Sequence, residues 1–365
     1  MKKPIVFTDF HHASLLNSLI MLFEGRLGGE VYRPIGIEWA ERGFWKVYDH
    51  PFTREQFLST TLGVVEPPPQ MYPDGTRPLN IVDKIIDGVY YCQDIDSGYY
   101  NKAITIDKFL ELPFDIVIAS IPQHIEPFKK LCELHPNKPK LIYQIGNAWP
   151  PEAGLAPNVM ASAIIHNVPE GVNFISYHQE FSLDTFYPQF PVIDEGQMPD
   201  QNIYSFINCF NIEKFYERDW GLFLMIESLM PEWNFKTYGG QCRDGAAHGT
   251  EQLADKMREA RFVWHTKAGG DGYGHIIHNA PAVARPLIVK KQYYQGKLAE
   301  PLLVDGVSCI EIDQMPPEHI VRKIEHYSQP ELYAKLSRGA YEIFKKVVNF
   351  DVEAKELEKF LENLV

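Results

Sequence analysis

The sequence is poor in cysteine and has fewer basic than acidic residues. Its five cysteines form no C-x-x-C pair and are odd in number, which indicates reduced, mostly structural thiols rather than a disulfide framework. Lysine and arginine together number 35 against 48 acidic residues, so the formal net charge is −13 at pH 7. This balance disfavours a broadly basic surface that would bind nucleic acid or anionic lipid.

Long apolar runs are also missing. No stretch approaches the roughly 18 consecutive apolar residues of a membrane span, so no transmembrane segment is predicted. At the N-terminus only a short apolar run precedes Asp9, which predicts a first strand rather than a secretion signal. Together with the reduced cysteines, these absences predict a cytoplasmic protein.

The 365 residues are enough for two domains, since a single core rarely extends beyond about 250 residues. Apolar runs alternate with amphipathic stretches, which is typical of parallel sheets covered by helices on both faces. We predict an α/β protein with one domain over residues 1–195, a second over residues 196–345, and a C-terminal helix over residues 346–365. Residues 32–98 are rich in proline, glycine and aromatics, which predicts surface loops and insertions.

The most informative stretch is residues 262–289, FVWHTKAGGDGYGHIIHNAPAVARPLIV. An apolar strand runs into a glycine-rich loop, a helix and a second strand that a proline precedes. The glycines let the backbone approach a ligand, and the helix directs its free N–H groups and the positive end of its dipole toward it. A phosphate or diphosphate suits such a cradle. The alternative is a strand-to-helix turn that needs glycine for its shape and binds no ligand.

This stretch resembles the donor segment of retaining glycosyltransferases of the GT-B fold, the E-x7-E type, which reads E-G-F-G-L-x-x-x-E-A-x-A-x-G-x-P-V-I. Residues 271–274 match E-G-F-G, Asn279-Ala280 matches the second E-A, and residues 282–288 match A-x-G-x-P-V-I without a gap. Two departures from the pattern matter, because Asp271 and Asn279 replace the two glutamates. In the family the second glutamate usually holds the ribose hydroxyls of the nucleotide, and an amide can still hydrogen-bond a diol.

The resemblance implies two Rossmann-like domains facing across a cleft, with the C-terminal helix crossing back to the first domain. It implies transfer of a sugar from a nucleoside-diphosphate sugar to an acceptor hydroxyl, with no prosthetic group. The first domain would hold the acceptor, which could be a glycan, a small molecule or a macromolecule, and residues 32–98 would set acceptor specificity. The acidic balance makes a nucleic-acid base the less favoured acceptor.

The donor residues that we predict lie in or beside the glycine-rich loop. Lys267 and Arg243 are candidates to neutralise the diphosphate, because a metal-independent site needs such cations together with a helix dipole. The remaining candidates are His265, Gly269, Gly270, Asp271, Gly272, Tyr273, Gly274, His275, His278 and Asn279. A metal site built from Asp271 and the three histidines is an alternative, but it lacks the ordered ligand spacing of a known motif, so no metal is predicted.

In the first domain, His11 and His12 occupy the loop after the first strand. Inverting enzymes of this architecture place a base histidine in that loop, where imidazole can accept a proton near neutral pH. His12 is therefore the predicted base, with His11 and Asp9 as further catalytic candidates. His124, which opens a helix after a strand, and Asn147, which follows another strand, are predicted to contact the acceptor.

Two other functions remain open from the sequence. A catalytically silent GT-B module that binds a glycan or a partner protein is compatible with Asn279 in place of glutamate. A nucleotide-sugar 2-epimerase shares the architecture, but it normally carries a cluster of carboxylates and histidines. Retention or inversion at the transferred sugar cannot be read from these residues.

Overall fold

The computed structural model describes residues 3–9, 13–34, 80–94, 98–146, 156–163, 168, 170–193, 196–212, 216–267 and 272–365. The chain divides into two compact units. The first comprises residues 1–162, 166–181 and 350–365, and the second comprises residues 163–165 and 182–349.

In the described part of the first unit, nine strands form one sheet in the order β3-β4-β5-β2-β1-β6-β7-β8-β9. From β5 to β9 neighbouring strands are parallel, whereas β3, β4 and β5 pair antiparallel. The strands are β1 Ile5–Thr8, β2 Glu30–Pro34, β3 Asn80–Ile86, β4 Val89–Asp94, β5 Tyr100–Ile104, β6 Ile116–Ala119, β7 Lys140–Ile145, β8 Asn158–Ala161 and β9 Asn173–Ser176.

The helices of the first unit are α1 Ala13–Ile20, which continues as a π-helical turn Met21–Arg26, then α2 Ile106–Glu111, α3 Pro122–Leu134 and the C-terminal α9 Phe350–Glu362. Helix α9 buries one apolar face, formed by Ala354, Leu357 and Phe360, in the same core as Val6, Ile118 and Ile142. The Asn158 side chain holds the chain end, because its Oδ1 accepts from the Val365 amide at 3.0 Å. The C-terminal helix is therefore part of the first unit's core.

The second unit is built on a five-stranded parallel sheet in the order β11-β10-β12-β13-β14. Its strands are β10 Asn202–Ser205, β11 Asn234–Thr237, β12 Phe262–His265, β13 Leu287–Val289 and β14 Cys309–Glu311. Its helices are α4 Glu217–Leu229, α5 Gly249–Glu259, α6 His275–Ala282, α7 Pro317–Ser328 and α8 Pro330–Val347. The three central strands, β10, β12 and β13, are buried along their whole length, as expected of a parallel sheet that helices cover on both faces.

One sequence prediction is corrected by the fold. Residues 32–98 are not wholly irregular, because β3 and β4 form a hairpin around Asp87 and Gly88. Both turn residues have positive φ, 50° and 75°, as a two-residue turn between twisted strands requires. Residues 35–79 of this zone lie outside the described part of the chain.

None of the helices in the described ranges combines the length and hydropathy that a membrane span requires.

Candidate functional site

Strand order places a ligand-binding edge in each unit. In the first unit β1 lies between β2 and β6, and in the second unit β10 lies between β11 and β12. The chain reverses direction across the sheet at such a strand, so the loops after neighbouring strands diverge and leave a crevice at their carboxyl ends. In the first unit this edge carries Asp9 and Ser120, and in the second it adjoins the glycine-rich loop.

Asp9 and His124 form a buried pair at the edge of the first unit's sheet. The Asp9 Oδ2 atom lies 2.7 Å from His124 Nδ1 and accepts from the Ser120 amide at 2.9 Å. The Ser120 hydroxyl donates to the other carboxylate oxygen. Both Asp9 and His124 are less than 5% exposed. The structure therefore brings together two predicted site residues that are 115 positions apart.

This pairing fixes what the imidazole can do. A carboxylate only accepts hydrogen bonds, so His124 Nδ1 carries the hydrogen that points to Asp9. The Nε2 atom is then the nitrogen whose protonation distinguishes neutral imidazole from imidazolium. The ring also stacks on Phe128, with centroids 5.5 Å apart and planes 24° from parallel. His124 is thus held in one orientation and one tautomer, which a group that transfers or donates a proton requires.

Three other predicted residues of the first unit, His11, His12 and Asn147, lie outside the described residues.

The glycine-rich loop of the second unit begins where β12 ends at the buried His265. Lys267 follows two positions later and is partly exposed. The predicted residues Gly269, Gly270 and Asp271 lie outside the described part of the chain. After Gly272 and Tyr273, the loop enters helix α6 through Gly274.

Gly274 has a left-handed backbone, with φ 75° and ψ 73°, a conformation that costs about 1–2 kcal/mol for other residues. The glycine therefore turns the loop sharply at the first turn of the helix, as the sequence predicts.

His278 fastens this loop to the helix. Its Nδ1 atom lies 2.9 Å from the Gly274 carbonyl oxygen, and its ring stacks on Tyr273 with centroids 4.1 Å apart and planes 8° from parallel. The His275 ring meets the same tyrosine edge-on at 5.0 Å. Tyr273 and His278 are both buried. These four predicted residues, Tyr273, Gly274, His275 and His278, thus pack together in one corner where the loop enters helix α6.

Asn279 is buried beside this corner, only 4% exposed. Within the described ranges its Oδ1 atom has no hydrogen-bond partner. A buried polar atom without a partner costs roughly 1–3 kcal/mol, so such atoms are rare in a folded protein unless water or a ligand satisfies them. Asn279 occupies the second turn of the helix that would face an anion, and its oxygen can accept from a ligand hydroxyl.

A buried ionic cluster at the end of β13 was not predicted from the sequence. The Lys290 ammonium donates to Asp219, and the Tyr293 hydroxyl donates to both carboxylate oxygens at 3.2 and 3.3 Å. Burial raises the pKa of Tyr293, and the nearby Asp219 charge adds to that rise. Lys290 directly follows a buried parallel strand, which is the available sequence signal, but its partner lies 71 positions away.

Tyr294, next to this cluster, connects it to the glycine-rich loop. Its buried ring lies 6.4 Å from the His265 ring, measured between centroids. The Lys297 ammonium lies 5.6 Å from the centroid of the same ring. The segment after β13 therefore supports the residue at which the loop begins.

Arg243, predicted as a diphosphate contact, is engaged within its own part of the fold. Its guanidinium donates to Glu227 at 3.0 Å, to Asp244 at 3.3 Å and to the Phe235 carbonyl at 2.8 Å. The hydrogen bond to Glu227 is the main cause that raises the pKa of Arg243. These contacts hold the loop after β11 to helix α4.

Among the described residues, no group of three or more histidine, cysteine, aspartate or glutamate side chains is arranged to hold a metal ion. Asp271 lies outside that set.

Neither a protein-family model nor a curated protein sequence matches this chain. Solved structures do match it in fold. HepE of Anabaena in complex with UDP-glucose is 12% identical with a TM-score of 0.58, over 99% of this chain and all of that one. An α-glucosyltransferase in complex with UDP and a 13-mer DNA is 11% identical with a TM-score of 0.61, over 99% of this chain and all of that one.

The sucrose-phosphate synthase of Thermosynechococcus elongatus is 12% identical with a TM-score of 0.58, over all of this chain and 99% of that one. These structures are GT-B glycosyltransferases, and the likeness extends over essentially the whole chain. The predicted fold class is therefore confirmed: the chain is an α/β protein with the GT-B fold.

Proposed function

We propose that this protein transfers a glycosyl group from a nucleoside-diphosphate sugar to an acceptor hydroxyl. The observation that carries the proposal is the loop-and-helix corner at the carboxyl edge of the second unit's sheet, with the buried Asn279 oxygen beside it. An edge of this kind is where parallel α/β sheets bind ligands. The GT-B fold supports the assignment, since two of the matched structures are named as complexes with UDP or UDP-glucose.

The second unit is the proposed donor domain. Amides of the glycine-rich loop and the N-terminus of α6 would hold the diphosphate, with Lys267 supplying positive charge as the leaving group forms. The Asn279 oxygen would accept from a hydroxyl of the donor. Asp271 and His265 complete the proposed donor contacts. UDP is the first nucleotide to test, because the matched structures name it.

The first unit is the proposed acceptor domain. An acceptor hydroxyl loses its proton while the bond to the sugar forms and the nucleoside diphosphate leaves. His12 remains the predicted base, and His124, oriented by Asp9, is a second group that can handle this proton. A correctly placed general base contributes about 10²–10⁴-fold to rate.

Donor binding is tested by calorimetry with UDP, GDP, ADP and their glucose conjugates. We expect binding of one nucleotide family, weakened about two- to tenfold in Asn279→Ala, since a neutral hydrogen bond contributes about 0.5–1.5 kcal/mol. Gln292→Ala, an exposed amide on the same unit, is the matched control and should bind normally. If no nucleotide or nucleotide sugar binds, the proposed function is wrong.

Transfer is tested by release of the nucleoside diphosphate in the presence of an acceptor panel of glycans, small alcohols and duplex DNA. We expect His124→Ala to lower kcat while leaving donor affinity unchanged. A donor that binds tightly but is not consumed with any acceptor would favour the silent module, for which the amide of Asn279 is the supporting observation.

A further inference from the structure

Two cysteines lie on neighbouring loops at the carboxyl edge of the second unit's sheet. Cys209 is in the loop after β10, and Cys242 is in the loop after β11. Both are partly exposed thiols. The other three cysteines, Cys92, Cys132 and Cys309, are buried, and burial raises the pKa of Cys132 and Cys309 to about 12. We therefore expect Cys209 and Cys242 to react with oxidants and the three buried cysteines to be protected from them.

The two loops pack against each other and are joined by hydrogen bonds beside these thiols. The Cys209 amide donates to the Gly240 carbonyl at 2.9 Å, and the Gly240 amide donates to Asn208 Oδ1 at 2.9 Å. The Cys242 thiol lies 3.2 Å from the Ile207 carbonyl oxygen. Cys242 Sγ therefore lies against the backbone two residues before Cys209.

The approach of the loops is close enough to exclude any side chain at Gly239. A Cβ atom there would lie 3.0 Å from Asn208 Cα and 3.2 Å from Cys242 Sγ. Cys209 itself has a left-handed backbone with φ 55°, a conformation that is uncommon outside glycine. The backbone at the point of contact is thus set by the packing of one loop on the other.

We propose that Cys209 and Cys242 form a reversible disulfide when a disulfide oxidant is present, clamping the loops after β10 and β11 together. A disulfide needs its two cysteines on adjoining backbone segments. The Cys242 thiol lies against the Ile207 carbonyl. Burial raises the pKa of Cys242 while backbone hydrogen bonds from Phe210 and Cys209 lower it, so this thiol faces the backbone of Cys209. Because β10 is the strand at which the second unit's sheet reverses direction, the clamp would fix one wall of its ligand-binding edge. The inference does not depend on the proposed glycosyl transfer.

The chemistry balances with glutathione disulfide as the oxidant. One cysteine loses its proton to solvent, and its thiolate attacks the oxidant to form a mixed disulfide and release one glutathione thiolate. The second cysteine, likewise deprotonated, attacks the protein sulfur of that mixed disulfide and releases the second glutathione. Two protein thiols are oxidised by two electrons in total, and one glutathione disulfide is reduced to two thiols.

The test is intact-mass and peptide mapping of the full chain after incubation with glutathione disulfide. We expect a loss of two hydrogen atoms in mass, a cross-linked peptide pair containing Cys209 and Cys242, and reversal by dithiothreitol. The rate should rise with pH, because the thiolate is the nucleophile, and burial raises the pKa of Cys242. A stable glutathione adduct without an internal cross-link, or a cross-link between chains, would overturn the proposal.

Matched variants separate the clamp from general oxidation. Cys242→Ser should accumulate a glutathione adduct at Cys209 and no internal disulfide, whereas Cys132→Ser should cross-link as the parent does. Hydrogen exchange of the oxidised parent should slow at the amides of both loops. Unchanged exchange with the cross-link in place would show that the disulfide does not clamp them, and would refute that part of the proposal.

Discussion

The buried ion pair of Lys290 and Asp219 yields the most specific prediction of stability. Its two side chains are 10% and 1% exposed, so neither charge can be solvated by bulk water if its partner is lost. Asp219→Asn keeps the shape but leaves the Lys290 ammonium facing an uncharged amide. Removing one partner of a buried pair costs about 3–5 kcal/mol. We expect Asp219→Asn to lower the free energy of unfolding of the second unit by that amount.

Urea unfolding followed by tryptophan fluorescence measures this loss, because Trp264 lies in the second unit's core and Trp220 and Trp233 pack against it. The matched control is Glu259→Gln, which removes the partner of Lys256 in a pair whose side chains are 28% and 46% exposed. An exposed pair contributes about 0–1 kcal/mol.

The double variant Asp219→Leu with Lys290→Met removes both charges, and apolar replacement of a buried pair is often close to neutral. We therefore expect it to be more stable than Asp219→Asn. A cost below about 1 kcal/mol for Asp219→Asn, or equal losses in the single and double variants, would refute the argument that an orphaned charge is the cause.

Four further substitutions, each at a single position, are measured by urea unfolding. Gly221→Ala should raise the free energy of unfolding by about 0.5–1 kcal/mol, because a Cβ atom at this exposed helix position meets nothing within 4 Å. Gly339→Ala should lower it, because its Cβ would lie 2.0 Å from the Val307 carbonyl oxygen. Ala284→Val should destabilise, because the site is buried with φ 60°, and an outcome equal to wild type would contradict this. Burial raises the pKa of Cys309 from 9.0 to about 12, so the unfolded state loses its proton first. The contribution of this thiol to the free energy of unfolding is present below pH 9 and falls as pH rises toward 12. Between pH 8 and pH 10 we therefore expect Cys309→Ala to lose less stability than the parent protein does.

Most strands and helices of the second unit could be predicted from the sequence, because its central strands are short and mostly apolar and its helices have clear ends. The run after residue 202 shows the limit of this reasoning. Residues 203–209, IYSFINC, are mostly apolar and on that pattern predict one strand, yet β10 ends at Ser205. Phe206 continues the apolar pattern because it stacks on Tyr238, with ring centroids 5.8 Å apart. Apolar composition identifies a buried residue, but it does not distinguish a strand from a buried loop.

The hairpin of β3 and β4 was missed although a local signal was present. Asp87-Gly88 lies between apolar runs, and this dipeptide is among the strongest indications of a two-residue hairpin turn. The proline-rich residues that precede it favour loops instead. In contrast, the Asp9–His124 pair and the Asp219–Lys290 pair have no local signal, because each joins residues 115 or 71 positions apart. Only the strand order brings them together.

The backbone at Ala284 bears on whether Asn279 holds the position of a donor-binding glutamate. In the A-x-G-x-P pattern this alanine stands where the resembled family has glycine, and its φ of 60° lies in the left-handed region that glycine serves. The conformation is held in place, since the Ser337 hydroxyl donates to the Ala284 carbonyl at 2.7 Å and the Arg285 amide donates to the Ala280 carbonyl at 2.9 Å. Ala284 thus has the backbone conformation that a glycine at this position would serve, and its neighbours hold it there. Asn279 lies five residues earlier in the same ungapped register, so we expect it to occupy the glutamate position and to contact the donor through its unsatisfied oxygen.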